Sequence, residues 1–265
     1  VAEIARIFVY PIKSLDGIAL TQATVLESGA LKYDREFALV DPQGRFINGK
    51  RNAQVHSLRS SFDIATRTVS FQGKATDAQT FCVDHERPSI EAWLSNYFGI
   101  EVRFIQSLAG FPDDTNASGP TIISTATLEA VASWFPGISV DEMRLRLRTN
   151  VELKGVPPFW EDQLFSEAGS VVQFQLGDVR FEGINPCQRC VVPTRNPLSG
   201  QAYPQFQKMF RQKRQETLPS WATLSRFNHF FRVAVNTRVP ESEAGKVLQV
   251  GDSVRILGVA ENKLS

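Results

Sequence analysis

Cysteine is scarce in this chain: three residues in 265, Cys82, Cys187 and Cys190. So few thiols exclude a disulfide framework and suit a reducing compartment, so a cytoplasmic protein is expected. The three histidines, His56, His85 and His229, lie far from one another and from the Cys187–Cys190 pair, so a zinc site would need convergence in space. A dominant charge is also missing. With 29 basic and 28 acidic residues the net charge is +1, so affinity for anions must come from local clustering, and general nucleic-acid binding has no support. No run of about 18 apolar residues occurs, which excludes a transmembrane helix, so no membrane association is expected. The opening Val1-Ala2-Glu3-Ile4-Ala5-Arg6 is charged within its first turn, unlike a signal peptide. Phosphate-binding loops with their lysine, dinucleotide fingerprints and nucleophile-elbow serines are absent too, which disfavours the usual nucleotide-dependent enzymes and serine hydrolases.

What is present is core-forming material, 42% hydrophobic and enough for one large domain or two interlocked ones. Short strand-like segments dominate the first part: Ile4 to Tyr10, Ala19 to Leu26, Glu36 to Val40, Ser61 to Ala65 and Thr68 to Phe71. A helix is predicted from Pro88 to Phe98, with Gly99 as its stop, and another from Ser124 or Thr125 onward. The polar stretch from Pro112 to Pro120 reads as a boundary or binding loop, dividing the chain into 1–115 and 116–265. Strands return at Val171 to Leu176, Val179 to Gly183, Phe230 to Asn236 and Val247 to Leu257. Tight β connections are expected at Leu176-Gly177-Asp178-Val179 and Val250-Gly251-Asp252-Ser253. From Gln205 to Glu216 the pattern is helical, with Phe206, Met209 and Phe210 inward and Lys208, Arg211, Lys213 and Arg214 on a solvated face. The fold class is mainly β with a few helices, α+β.

Chemistry points first to Asn185-Pro186-Cys187-Gln188-Arg189-Cys190. A guanidinium between two thiols favours the thiolate, the nucleophilic and metal-ligating form, although the same spacing also suits two inert thiols capping a strand. Cys-x-x-Cys alone does not make a zinc site, and a thioredoxin-type pair would need a strand-to-helix junction. Arg144-Leu145-Arg146-Leu147-Arg148-Thr149-Asn150-Val151 alternates strictly, so as a strand it would line three guanidiniums along one surface, either to grip an oxyanion or to blunt a sheet edge. Lys13 and Ser14 end the first strand with a cation and a hydroxyl, and Arg35 opens a later one. Trp160-Glu161-Asp162 offers two acids that could hold an arginine or donate protons.

Taken together, Pro11-Ile12-Lys13-Ser14, Asp34-Arg35, Arg148-Thr149-Asn150, Glu161-Asp162, Cys187-Gln188-Arg189-Cys190 and Val250-Gly251-Asp252 resemble the MOSC family across nearly the whole chain. The resemblance implies an N-terminal MOSC β-barrel domain followed by a β-barrel-like MOSC domain. Within the family the amidoxime-reducing components are the nearest in kind, and they imply a molybdenum cofactor (molybdopterin) that removes oxygen from a small N-hydroxylated substrate. Cys190 would then be catalytic and ligate molybdenum, with the role of Cys187 open. Lys13, Ser14, Arg35, Arg148, Asn150 and Arg189 would hold the pterin and its phosphate, joined by Gln188, where relatives often carry serine, and by Thr115 and Ser118 of the polar loop. Thr149 stands where proline is common. Asp162 would relay a proton or brace Arg148. With no cysteines left for an iron–sulfur domain and no anchor, electrons would come from a separate ferredoxin or flavin reductase. Two other readings use the same residues: a sulfur carrier with a persulfide on Cys190 or Cys187, and a cofactor-binding module without turnover, with pyridoxal phosphate possible at Lys13.

Overall fold

A computed structural model describes residues 1–74 and 76–262. In chain order the first strands are β1 (Glu3–Val9), β2 (Ile18–Leu20), β3 (Gln22–Thr24), β4 (Phe37–Val40), β5 (Arg59–Asp63), β6 (Thr68–Gln72) and β7 (Gln79–Cys82). Helix α1 (Arg87–Phe98) and strand β8 (Arg103–Gln106) follow. Next come β9 (Ile122–Ser124), helices α2 (Thr125–Ser133) and α3 (Val140–Leu147), and β10 (Val151–Lys154). The chain continues through β11 (Ser170–Leu176), β12 (Val179–Gln188), α4 (Phe206–Glu216), β13 (Arg232–Arg238), β14 (Val247–Gln249) and β15 (Val254–Glu261).

Eight strands form one sheet in the order β15-β11-β12-β13-β9-β10-β1-β2. Its first and last members therefore come from opposite ends of the chain. A bridge between Glu3 and Ser253 draws the start of β15 against β1 and curls the sheet, while its edge strands β15 and β2 stay unpaired with each other. Strand β14 pairs antiparallel with β3, a second link between the ends. The remaining strands make a β4–β8 pair and a β5-β6-β7 sheet. The fold is α+β, as expected, with curled but open sheets.

Each layer has its own core. Ile4, Ile7, Phe174 and Phe181 pack beneath the large sheet. Phe37, Phe71, Leu94 and Phe104 fill the space between α1 and the smaller sheets, with Phe37 stacked on Phe104 at 4.8 Å. Leu128, Phe135, Phe206 and Phe210 join α2, α3 and α4. Close packing elsewhere leaves no room for a side chain: a Cβ at Gly183 would lie 1.5 Å from the carbonyl oxygen of Leu164.

Three expectations need correction. The alternating arginine segment is helix, not strand, through Leu147. Ser139 caps α3 by accepting a hydrogen bond from Glu142 N, Asp141 and Glu142 occupy its first turn, and Arg144 and Arg146 its last, which is the charge order a helix dipole favours. Arg144 pairs with Glu152 at 2.6 Å and with Asp141, and Arg146 with Glu142 at 2.6 Å, so neither is a free member of a cationic row. The Val250–Ser253 turn does not close a hairpin, because β14 pairs with β3 and β15 with β11. Finally, Arg214 is not on a solvated face: it is fully buried and ion-paired with Asp162. The Gly177-Asp178 hairpin, the cap at Ser124 and the helix at 206–216 form as predicted.

Candidate functional site

A cavity of about 700 Å³ opens where the loop after β1, the loop before β4, the end of α3 and the end of β12 meet. Ten basic and four acidic side chains line it, on a chain whose total charge is +1. The clustering that an anion site requires is thus present locally.

Backbone geometry places the main cations. Ser14, Arg35 and Arg148 all have left-handed backbones, with φ of 74°, 52° and 51°. Such conformations are costly for residues with a Cβ and persist only where surrounding contacts enforce them, which happens often at binding sites. Arg148 is the C-cap of α3, so the helix end itself turns its side chain out of line with Arg144 and Arg146. Its guanidinium donates to the Leu15 carbonyl at 2.7 Å and lies 4.1 Å from the centre of the Tyr10 ring, which also has Arg35 at 5.8 Å. Burial lowers the Arg148 pKa and raises that of Tyr10. Arg35 pairs with Asp34, whose other oxygen accepts from Tyr10 N at 2.8 Å. Lys13 donates to Phe111 O at 2.8 Å and pairs with Asp113 at 2.7 Å, and burial pulls its pKa down despite that partner.

Cys187, in β12, and Cys190, just beyond its end, are half-buried free thiols, and both line the cavity. Arg189 donates to the Cys187 sulfur at 3.4 Å and to Leu147 O at 2.9 Å, while its Nε is buried with no partner. An unpaired buried donor is costly, so this nitrogen calls for an acceptor. Among the described residues no group of three or more metal-ligating side chains gathers, and no helix is long and apolar enough to cross a membrane.

The structure therefore brings together Lys13, Ser14, Arg35, Ser118, Arg148, Gln188, Arg189 and Cys190 around one space. It leaves out three residues expected there. Asn150 is buried behind the wall, donating to Phe8 O at 3.1 Å and accepting from Thr121 N at 3.1 Å, so it ties β1 to the start of β9. Thr115 precedes lining residues without lining the cavity itself. Asp162 neither lines it nor braces Arg148; buried beside Arg214, it is a structural partner there. Burial raises the Asp162 pKa against the pull of Arg214. Sequence reasoning missed Tyr10, Asp113, Arg226 and Arg232 as lining residues. Tyr10 and Asp113 adjoin recognised segments, but nothing in the sequence signals the last two.

Two family profiles match the chain: "MOSC N-terminal beta barrel domain" over residues 1–101 and "MOSC domain" over residues 116–255. Among curated proteins, a molybdenum cofactor sulfurase of Caenorhabditis briggsae is 22% identical over 95% of this chain and 36% of its own length. The Drosophila grimshawi protein of that name is 24% identical over 96% and 34%, and the human one 20% identical over 75% and 27%. The chain thus spans about a third of the length of such relatives or less. With the second profile covering more than half of its residues, this chain belongs to the MOSC domain family and carries that family's N-terminal barrel domain ahead of it.

Proposed function

We propose that this chain binds the molybdenum cofactor in the basic cavity and acts through the Cys190 thiol. The observation that carries the proposal is the meeting of Cys190 with Arg189, Arg148, Arg35 and Lys13 around one space, with the buried Arg189 Nε left without an acceptor. The donor set suits such a ligand. A thiolate matches a soft, sulfur-bound metal centre, and fixed guanidiniums match a phosphate. Arg35, Arg148 and Arg189 would hold the pterin phosphate and ring polar groups, with Lys13 and Ser14 at the same rim. When bound, the cofactor would supply a metal able to exchange oxygen or sulfur and two electrons. The protein's own share is orientation: Asp34 and Asp113 hold Arg35 and Lys13, and Tyr10 supports Arg35 and Arg148 face-on.

Two chemistries fit Cys190. The relatives' name speaks for sulfur handling, with a persulfide on Cys190 serving the cofactor. The room in the cavity beside the thiol speaks for the other, removal of oxygen from a small N-hydroxylated substrate with electrons from a separate ferredoxin or flavin reductase. A pyridoxal phosphate role for Lys13 draws on less, because its ammonium is engaged by Asp113 and Phe111 O.

Protein expressed in a host that makes molybdopterin is expected to carry about one molybdenum per chain, lost on Cys190→Ala. Cyanide-labile sulfur on Cys190 selects the carrier; donor-dependent reduction of an N-hydroxylated test compound selects the reductase. Absence of metal, pterin and labile sulfur together would refute the proposal.

A further inference from the structure

Several basic side chains around the cavity have an acid at hand: Lys13 has Asp113, Arg35 has Asp34, Arg59 has Asp16 and Arg146 has Glu142. Arg226 and Arg232 differ. Arg226 is held by two carbonyls, those of Ser166 and Ile184, the second at 3.0 Å. Arg232 donates to Pro186 O at 2.9 Å, to Asn228 Oδ1 at 2.9 Å and to Gln188 Oε1 at 3.3 Å. Neutral oxygens fix both guanidiniums in place without compensating their charge. The acid that acts on Arg226 is Glu167, whose carboxylate accepts the Ser225 hydroxyl and forms no ion pair with the arginine.

Both arginines line the cavity on its β12–β13 side, with Cys187 on the same side. Arg226 is anchored to the carbonyl of Ile184 and Arg232 to that of Pro186, two residues apart on β12 with Cys187 next in the chain, and Cys187 and Arg226 are among the charges that act on Arg232. Two like charges held close together and partly desolvated, with no carboxylate between them, are stabilised when an oxyanion joins them, and guanidiniums bind such groups in bidentate fashion. Lys13 and Arg35 reach the cavity from the first part of the chain, Arg226 and Arg232 from the last.

We propose that Arg226 and Arg232 form an anion subsite beside Cys187 that takes the carboxylate or phosphate of the second reactant, and that the cofactor's own phosphate is held elsewhere. This assignment rests on the cavity being the reaction site. It restricts the reactant to a small molecule bearing an oxyanion and places that anion next to the thiol whose role the motif leaves open.

Alkylation of Cys187 tests it without any turnover. Iodoacetate and iodoacetamide attack the same thiolate and differ in charge, so the ratio of their rates reads the local field. Tryptic cleavage at Arg189 separates Cys187 from Cys190 for mass spectrometry. In the full chain without cofactor, at low ionic strength, the ratio at Cys187 is expected to exceed that of a cysteine peptide by about tenfold. Inorganic phosphate should abolish the excess, and raised ionic strength should shrink it. Arg232→Gln and Arg226→Gln should each lower the ratio severalfold, Arg232→Lys should retain most of it, and Lys50→Gln, a cation on the same lining, should leave it unchanged. A ratio equal to the peptide's, or an excess that survives both glutamine variants and so belongs to Arg189, the guanidinium that donates to the Cys187 sulfur, overturns the subsite. If the glutamine variants do not fold, phosphate competition in the unaltered chain decides.

Cofactor-loaded protein separates the two possible anions. Retention of the iodoacetate preference assigns the pair to the second reactant. Its loss on loading, or loss of access to Cys187 by both reagents, gives the pair to the cofactor and refutes the assignment. A chain that never loads cofactor refutes the proposed function instead, and the cofactor-free measurement alone then judges the subsite.

Discussion

Replacing Glu161 by glutamine should flatten the pH dependence of stability between pH 5 and 7.5. Glu161 is 1% exposed. One of its carboxyl oxygens accepts the Thr127 hydroxyl at 3.0 Å and the other has no partner. Burial, reinforced by the negative charge of Asp162, raises its pKa to about 7 from an ordinary value of 4.5. The folded chain therefore keeps this proton over a range where the unfolded chain has lost it. Stability from Glu161 is fully present below the unfolded pKa and is lost as pH rises through the folded one. A shift of this size corresponds to about 3 kcal/mol as an upper bound. His56 works in the opposite direction, because burial lowers its pKa and stability rises as it loses its proton. The informative quantity is thus the difference between unaltered protein and Glu161→Gln. Urea unfolding followed by tryptophan fluorescence, repeated from pH 5 to 8, is expected to show the unaltered chain losing up to about 3 kcal/mol relative to the variant, levelling off above about pH 8. A constant difference across that range, or one of opposite slope, would show that Glu161 is ionised inside the fold and refute the reasoning.

Asp162→Asn leaves Arg214 fully buried without its counter-ion and should destabilise the fold by about 3–5 kcal/mol, with much of the loss recovered in the double variant that adds Arg214→Met; urea midpoints check both. A catalytic Asp162 would instead lose activity at unchanged stability. Gly183→Ala drives a Cβ into the Leu164 carbonyl oxygen and should cost more than about 4 kcal/mol, read as insoluble expression or a collapsed melting temperature. Tyr10→Leu removes the ring that supports Arg35 and Arg148, a contact of about 1–2 kcal/mol for a desolvated cation, and should lower retained molybdenum on gel filtration, whereas Tyr10→Phe should not.

Local signals carried much of the fold. Gly177-Asp178 forms the β11–β12 hairpin, and Ser124 caps α2 through Thr127 N. The alternating arginines misled because period-two alternation over so short a segment competes with stronger end signals. Ser139-Val140-Asp141-Glu142 is a capping pattern, with Ser139 accepting from Glu142 N, and it fixes helix α3. Arg214 could not be placed from helix periodicity alone, since its counter-ion Asp162 is distant in sequence. For the site, short motifs indicated Lys13, Arg35, Arg148, Arg189 and Cys190, each adjoining a turn or strand end. Arg226 and Arg232 carry no motif, and Asn150, which the motif suggested as a contact, acts one layer back through Phe8 and Thr121.

The way the chain's two ends are stitched together makes the first and last strands depend on each other. Strand β14 clasps β3 and Ser253 bridges Glu3, so peeling either end away strips backbone hydrogen bonds from the other. Deleting residues 246–262 is then expected to loosen the first strands as well as the last, because each supplies backbone partners to the other.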